Sequence, residues 1–75
     1  MVLAFVLINT KIEDKESAIK RIGDVDGVNE AYMCYGVFNI IAVIRYGTTE
    51  ELREKVLRIQ KIDNVRSTLT MREVA

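Results

Sequence analysis

Val28 to Ile44 reads VNEAYMCYGVFNIIAVI. Val28 to Tyr35 carries the aromatic and branched residues that suit a strand, and Ile40 to Ile44 is apolar without interruption. Between them Gly36-Val37-Phe38-Asn39 breaks the pattern, with Gly36 free to take a positive φ. Two strands joined by so short a break predict an antiparallel β-hairpin. What flanks it decides the fold. Upstream, Val2 to Thr10 (VLAFVLINT) is apolar at nearly every position and reads as a strand. It is followed by a helix over about 13 to 24, where Glu13, Asp14 and Glu16 meet the positive helix end and Ala18, Ile19, Ile22 and Val25 recur at helical spacing. Asp24-Val25-Asp26-Gly27 then turns the chain into the hairpin. Downstream, Thr48 and Glu51 form a capping box for a second helix with the apolar stripe Leu52, Val56, Ile59 and Ile62. Glu51 with Lys55, and Glu54 with Arg58, are spaced to pair on its wet side. Asp63-Asn64 ends it, and Val65 to Val74 is a last strand.

The order is β-α-β-β-α-β, two half-repeats about a central hairpin. Right-handed crossovers place both helices on one face of a four-stranded antiparallel sheet, an α+β arrangement of ferredoxin-like type forming a single domain over residues 1–75. Two helices cover one sheet face, yet the first and third strands are apolar on both. A chain of 75 residues removes only about 60% of its surface from water and is marginal alone. One cysteine and no histidine leave no disulfide or zinc site to staple it, so self-association through the open sheet face is the expected device.

Composition excludes several function classes. Lysine plus arginine equals aspartate plus glutamate at 11 each, so no positive surplus exists to neutralise a phosphate backbone, and no direct nucleic-acid partner is expected. The apolar run Met1 to Ile8 is too short for a membrane span and lacks the flanks of a signal peptide, so a cytoplasmic protein without membrane contact is expected. Cys34 reads as a small buried hydrophobe in mid-strand, with no histidine to activate it. The acidic pairs Glu13/Asp14, Asp24/Asp26 and Glu50/Glu51 fall at helix starts and a turn, where dipole and turn chemistry account for them. Glycines are scattered singly, which excludes a phosphate loop, and the third strand has no aromatic for base stacking. No enzyme activity, metal or cofactor is expected.

Two segments exceed what packing needs. Tyr35-Gly36-Val37-Phe38-Asn39 exposes backbone in a turn where Gly36 lets a small ligand approach, and Arg66-Ser67-Thr68-Leu69-Thr70 clusters donors at the start of the last strand. At these segments the chain resembles a known family. GVNEAYMCYGVFNIIAVI from Gly27, followed by VRSTLTM from Val65, is similar to the effector-binding (RAM) domain of the Lrp/AsnC transcription regulators. The resemblance covers essentially the whole chain. It implies a homodimer of sheets packed face to face, dimers assembling into rings, commonly octamers, and an amino acid bound between dimers. It implies Gly36, Val37, Phe38, Asn39, Thr68 and Thr70 as ligand contacts, with Ser67 weaker. Asn39 stands where the family usually has Asp; an amide hydrogen-bonds a ligand but offers its ammonium no charge. Full-length relatives carry a helix-turn-helix DNA-binding domain ahead of this one, and none is legible here, which suggests the stand-alone form.

The resulting expectation is an amino-acid-binding module that regulates through assembly or by joining full-length Lrp/AsnC regulators. Two alternatives are a small dimeric α+β-barrel enzyme, for which the first and third strands supply no interior polar residue but Asn9 and Thr10, and a purely structural subunit. With zero net charge the chain alone is expected to retard no DNA duplex at physiological salt, whereas retardation that needs an added full-length regulator is compatible with co-assembly.

Overall fold

Strand alternation and helix periodicity fix which side chains share a face in the computed structural model, which describes residues 1–74. The elements are β1 (Val2–Thr10), a 3₁₀ turn (Ile12–Asp14), α1 (Lys15–Gly23), β2 (Val28–Met33), β3 (Ile40–Tyr46), α2 (Thr49–Gln60) and β4 (Val65–Arg72). The strands form one antiparallel sheet in the order β2-β3-β1-β4, the ferredoxin-like topology expected. The two strands that are apolar on both faces are therefore the central ones. Ala4, Val6 and Ile8 of β1 and Ile40, Ala42, Ile44 and Tyr46 of β3 point to one face, where Ala18 and Ile22 of α1 and Leu52 and Ile59 of α2 complete the core.

The half-repeats close alike. The C-caps of α1 and α2, Asp24 and Lys61, have nearly the same dihedrals, −82°/−9° and −81°/−8°. In each joint the next two turns are held by equivalent bonds: Val25 N–H to Ile22 O and Ile62 N–H to Ile59 O at 3.1 Å, then Val28 N–H to Val25 O and Val65 N–H to Ile62 O. Arg21 Nη1 donates to Asn64 Oδ1 at 3.0 Å, tying one helix to the other repeat's turn. The joints differ at Gly27, whose φ of +95° brings its backbone against the Lys55 stem, where a Cβ would collide.

The capping box forms with one change. Thr48 accepts from Glu51 N–H at 3.2 Å, while the Glu51 carboxylate reaches back to Gly47 N–H at 3.1 Å. Glu54 and Arg58 pair at 2.8 Å as expected. Glu51 and Lys55 do not, because Glu51 is engaged with Gly47 and the Lys55 stem lies over Gly27. The hairpin strand is also shorter than expected: β2 ends at Met33, so Cys34 is a half-buried turn residue and not a mid-strand one. Its Sγ–H donates to Phe38 O at 3.1 Å.

The second sheet face carries Leu3, Phe5 and Leu7 of β1, Ile41 and Val43 of β3, and Leu69 and Met71 of β4, all in register across the sheet. Neither helix covers it. Phe5 is 38% exposed and Leu69 and Met71 48% each, so the double-sided apolarity of β1 and β3 leaves a continuous apolar patch in the single chain. Tyr32 of β2 joins it at the edge, and the Glu30 carboxylate that accepts its hydroxyl holds the phenol's ionisation above its ordinary range.

Truncating the core, Ile8→Ala, is expected to cost about 2–5 kcal/mol. Gly27→Ala is expected to cost about 1–3 kcal/mol, through its backbone conformation and the displaced Lys55 stem. Urea denaturation at fixed protein concentration measures both.

Candidate functional site

Residues just past the ends of β1 and β2 build a polar recess around the hairpin turn. Gly36 takes φ +127°, with open space where a Cβ would stand, so the turn exposes backbone on its outer side. Its base is closed by Cys34 N–H donating to Asn39 O at 2.9 Å and Asn39 N–H donating to Ile8 O at 2.9 Å. Asn9 Nδ2 donates to Val37 O, drawing the tip of the turn onto β1.

Asn39 is the anchor. It is 6% exposed, and its side chain pairs with the main chain of Thr10 as a neighbouring strand would. Oδ1 accepts from Thr10 N–H at 3.1 Å and from the Thr10 hydroxyl at 3.3 Å, while Nδ2 donates to Thr10 O at 2.8 Å. An amide serves both jobs at once because it holds a donor and an acceptor side by side. This prolongs the β1–β3 pairing one residue beyond the ladder, at a place where a buried peptide group would otherwise lack a partner. The side chain thus faces inward.

Gly36, Val37 and Asn39 come together in the recess, an open cavity of about 430 Å³ that Lys11, Glu13 and Arg66 also line. Phe38 is half-buried and does not line it. The β4 candidates Ser67, Thr68 and Thr70 lie elsewhere. Ser67 pairs with Asn9 on the open sheet face, while Thr68 and Thr70, opposite Ile8 and Val6, face the helices. Thr68 Oγ1 accepts from Gln60 Nε2 at 2.9 Å. Thr70 lies in a separate cleft of about 320 Å³ between α2 and β4, walled by Leu52, Val56 and Leu57. Arg72 at its end donates from Nε to Tyr46 Oη at 3.0 Å. In one chain, therefore, the hairpin candidates Gly36, Val37 and Asn39 and the candidate Thr70 line two distinct depressions. Sequence reasoning missed the Thr10 clamp and the recess roles of Lys11 and Glu13; their spacing carries no motif, and only the register of β1 against the hairpin assembles them.

Among the described residues no cluster of three or more potential metal ligands forms, and no helix is long and apolar enough to cross a membrane. Residues 3–75 match the family model described as the Lrp/AsnC ligand binding domain. The chain belongs to the Lrp/AsnC family. Among solved structures it is similar to TTHA0845 from Thermus thermophilus, with 28% identity and a TM-score of 0.93 over 100% of this chain and 95% of that one. It is similar to FFRP-DM1 at 27% identity and TM-score 0.89, covering 99% and 100% of the two chains. It is also similar to E. coli AsnC at 29% identity and TM-score 0.89; there 99% of this chain covers 51% of that one, about half its length. A feast or famine regulatory protein from M. tuberculosis, complexed with L-methionine, shares the fold at 22% identity and TM-score 0.81, over 100% of this chain and 51% of that one. No curated protein matches this Lrp/AsnC-family chain.

Asn39→Ala removes both partners of the Thr10 peptide and is expected to cost about 1–3 kcal/mol. Asn39→Asp keeps an acceptor for Thr10 N–H but sets a carboxylate oxygen against Thr10 O, which favours the protonated acid in the folded state. A folded pKa above the unfolded value of about 3.9 gives stability that is present below that value and lost as pH rises through the folded one. The deficit of Asn39→Asp against the parent should therefore be smaller at pH 4 than at pH 7, as read from urea midpoints.

Proposed function

We propose that this chain is a non-enzymatic regulatory module that binds an amino acid and transmits the binding through its assembly state, as a homo-oligomer or by co-assembly with full-length Lrp/AsnC regulators. The carrying observation is the hairpin recess, held open by the buried Asn39–Thr10 clamp in a chain that matches a ligand-binding domain over 3–75. The relative complexed with L-methionine supplies the ligand class to try first.

The apolar sheet face supports the assembly. Two copies packed face to face bury Phe5, Leu69 and Met71 of both, and a two-fold axis makes one patch complementary to itself. The separation of Gly36, Val37, Phe38 and Asn39 from Thr68 and Thr70 fits a ligand held between copies, with the hairpin of one meeting the β4 threonines of another; Ser67, on the sheet-face side, takes the lesser part. Dimers closing into a ring, such as an octamer, would generate that meeting repeatedly. Ligand binding and assembly would then be linked, each strengthening the other.

A thermal-shift screen against the twenty L-amino acids tests the reading. At a ligand concentration 100 times Kd, binding to the folded state alone adds about 2.7 kcal/mol and raises the melting temperature by several degrees. Flat melting temperatures across all twenty at millimolar concentration contradict it.

A further inference from the structure

We propose that the hairpin recess recognises the zwitterionic head of an apolar α-amino acid through three charged side chains on its rim, Glu13 meeting the ammonium and Lys11 and Arg66 the carboxylate. The inference rests on the ligand-binding reading above and assigns the polar contacts within that site. Lys11 follows β1, Glu13 lies in the 3₁₀ turn and Arg66 lies in β4, yet all three line one cavity of about 430 Å³. They are not engaged with one another: among the described residues the ion pair is that of Glu54 with Arg58, on the far helix. Opposite charges that share a recess without pairing are complementary to a ligand that brings both signs.

Arg66 is placed there by an irregularity in the sheet. Asn9 and Thr10 are consecutive in β1, but their partners in β4 are Ser67 and Val65, so Arg66 is an extra residue that bulges out of the ladder. A bulge re-aims the side chain it carries, and here that side chain lines the hairpin recess on the neighbouring strand's end. The ammonium partner follows from Asn39. Its oxygen is engaged by Thr10 N–H and the Thr10 hydroxyl, which leaves Glu13 as the carboxylate lining the recess. Ile12 and Val37, 79% and 77% exposed, line the same cavity and offer an apolar side chain a surface to cover.

Isothermal titration of the parent, Glu13→Gln and Arg66→Gln with L-methionine, L-methioninamide and N-acetyl-L-methionine tests this. The amide keeps the ammonium and loses the carboxylate; the N-acetyl compound does the reverse. The parent should bind L-methionine roughly three- to tenfold more tightly than either derivative, the range for charge-assisted bonds at an open site. Glu13→Gln should weaken L-methionine by a similar factor and leave N-acetyl-L-methionine unchanged. Arg66→Gln should weaken L-methionine and leave L-methioninamide unchanged. All three rim side chains are exposed, so the variants should melt as the parent does. A parent that binds the three compounds equally overturns the assignment without any variant. Variants that bind L-methionine as the parent does overturn it while leaving the ligand-binding reading intact. A parent that binds none of the apolar L-amino acids overturns the inference, and one that binds none of the twenty overturns the ligand-binding reading as well.

Discussion

A four-stranded sheet has two faces and this chain has helices for one. That constraint governs the rest of the structure. The residues of β1 and β3 that face α1 and α2 are fully buried, from Ala4 through Ile8 and from Ile40 through Ile44 at alternate positions. Their neighbours on the other face are equally apolar, so the alternation expected of a one-sided antiparallel sheet is missing from the two central strands. An apolar strand pair at the centre of a sheet, with apolar residues of β4 continuing the patch to one edge, is the composition of an interface core. The domain's small size adds to the need, since a core this limited gains most from the surface it can still remove from water.

The same topology puts the two candidate ligand segments apart. The β2–β3 turn meets the end of β1, whereas Thr70 lies further along β4, beyond the sheet's central strand and under α2. No movement within a compact sheet brings these together. On the proposed reading a second copy joins them, which would make assembly part of the site and give a ligand a means of acting on quaternary structure. The proposed mechanism, recognition at the hairpin with its consequence read in how copies associate, accounts for both this separation and the match to a ligand-binding domain.

Much of this was legible in the sequence, for identifiable reasons. The element order follows from β1 and β3 being uninterrupted apolar runs and from the helical spacing of Ala18, Ile22, Leu52 and Ile59, signals that depend on periodicity alone. The boundaries at Met33 and Arg72, short of the expected Tyr35 and Val74, depend on where partner strands stop, which no local pattern records. Lys55 shows the same limit: its spacing from Glu51 predicts a pair, but the open backbone at Gly27 offers its stem a tertiary surface instead. Asn39 is the most instructive residue. A polar residue in an exposed-looking turn reads as available to a ligand, yet its amide matches the Thr10 peptide group and is buried by doing so. Such mimicry of a strand neighbour leaves no trace in sequence. The gathering of Lys11, Glu13 and Arg66 is equally hidden, because it depends on a bulge in β4.

The central claim is that the uncovered sheet face is an interface between copies of this chain, and sedimentation velocity from 1 to 100 μM, with Phe5→Asp run alongside, tests it most directly. The account predicts a parent that sediments at twice the chain mass or more throughout, and a variant that returns toward 8.6 kDa because it sets a carboxylate at the centre of the patch. A parent that sediments at 8.6 kDa across the whole range, with no dependence on concentration, would contradict it.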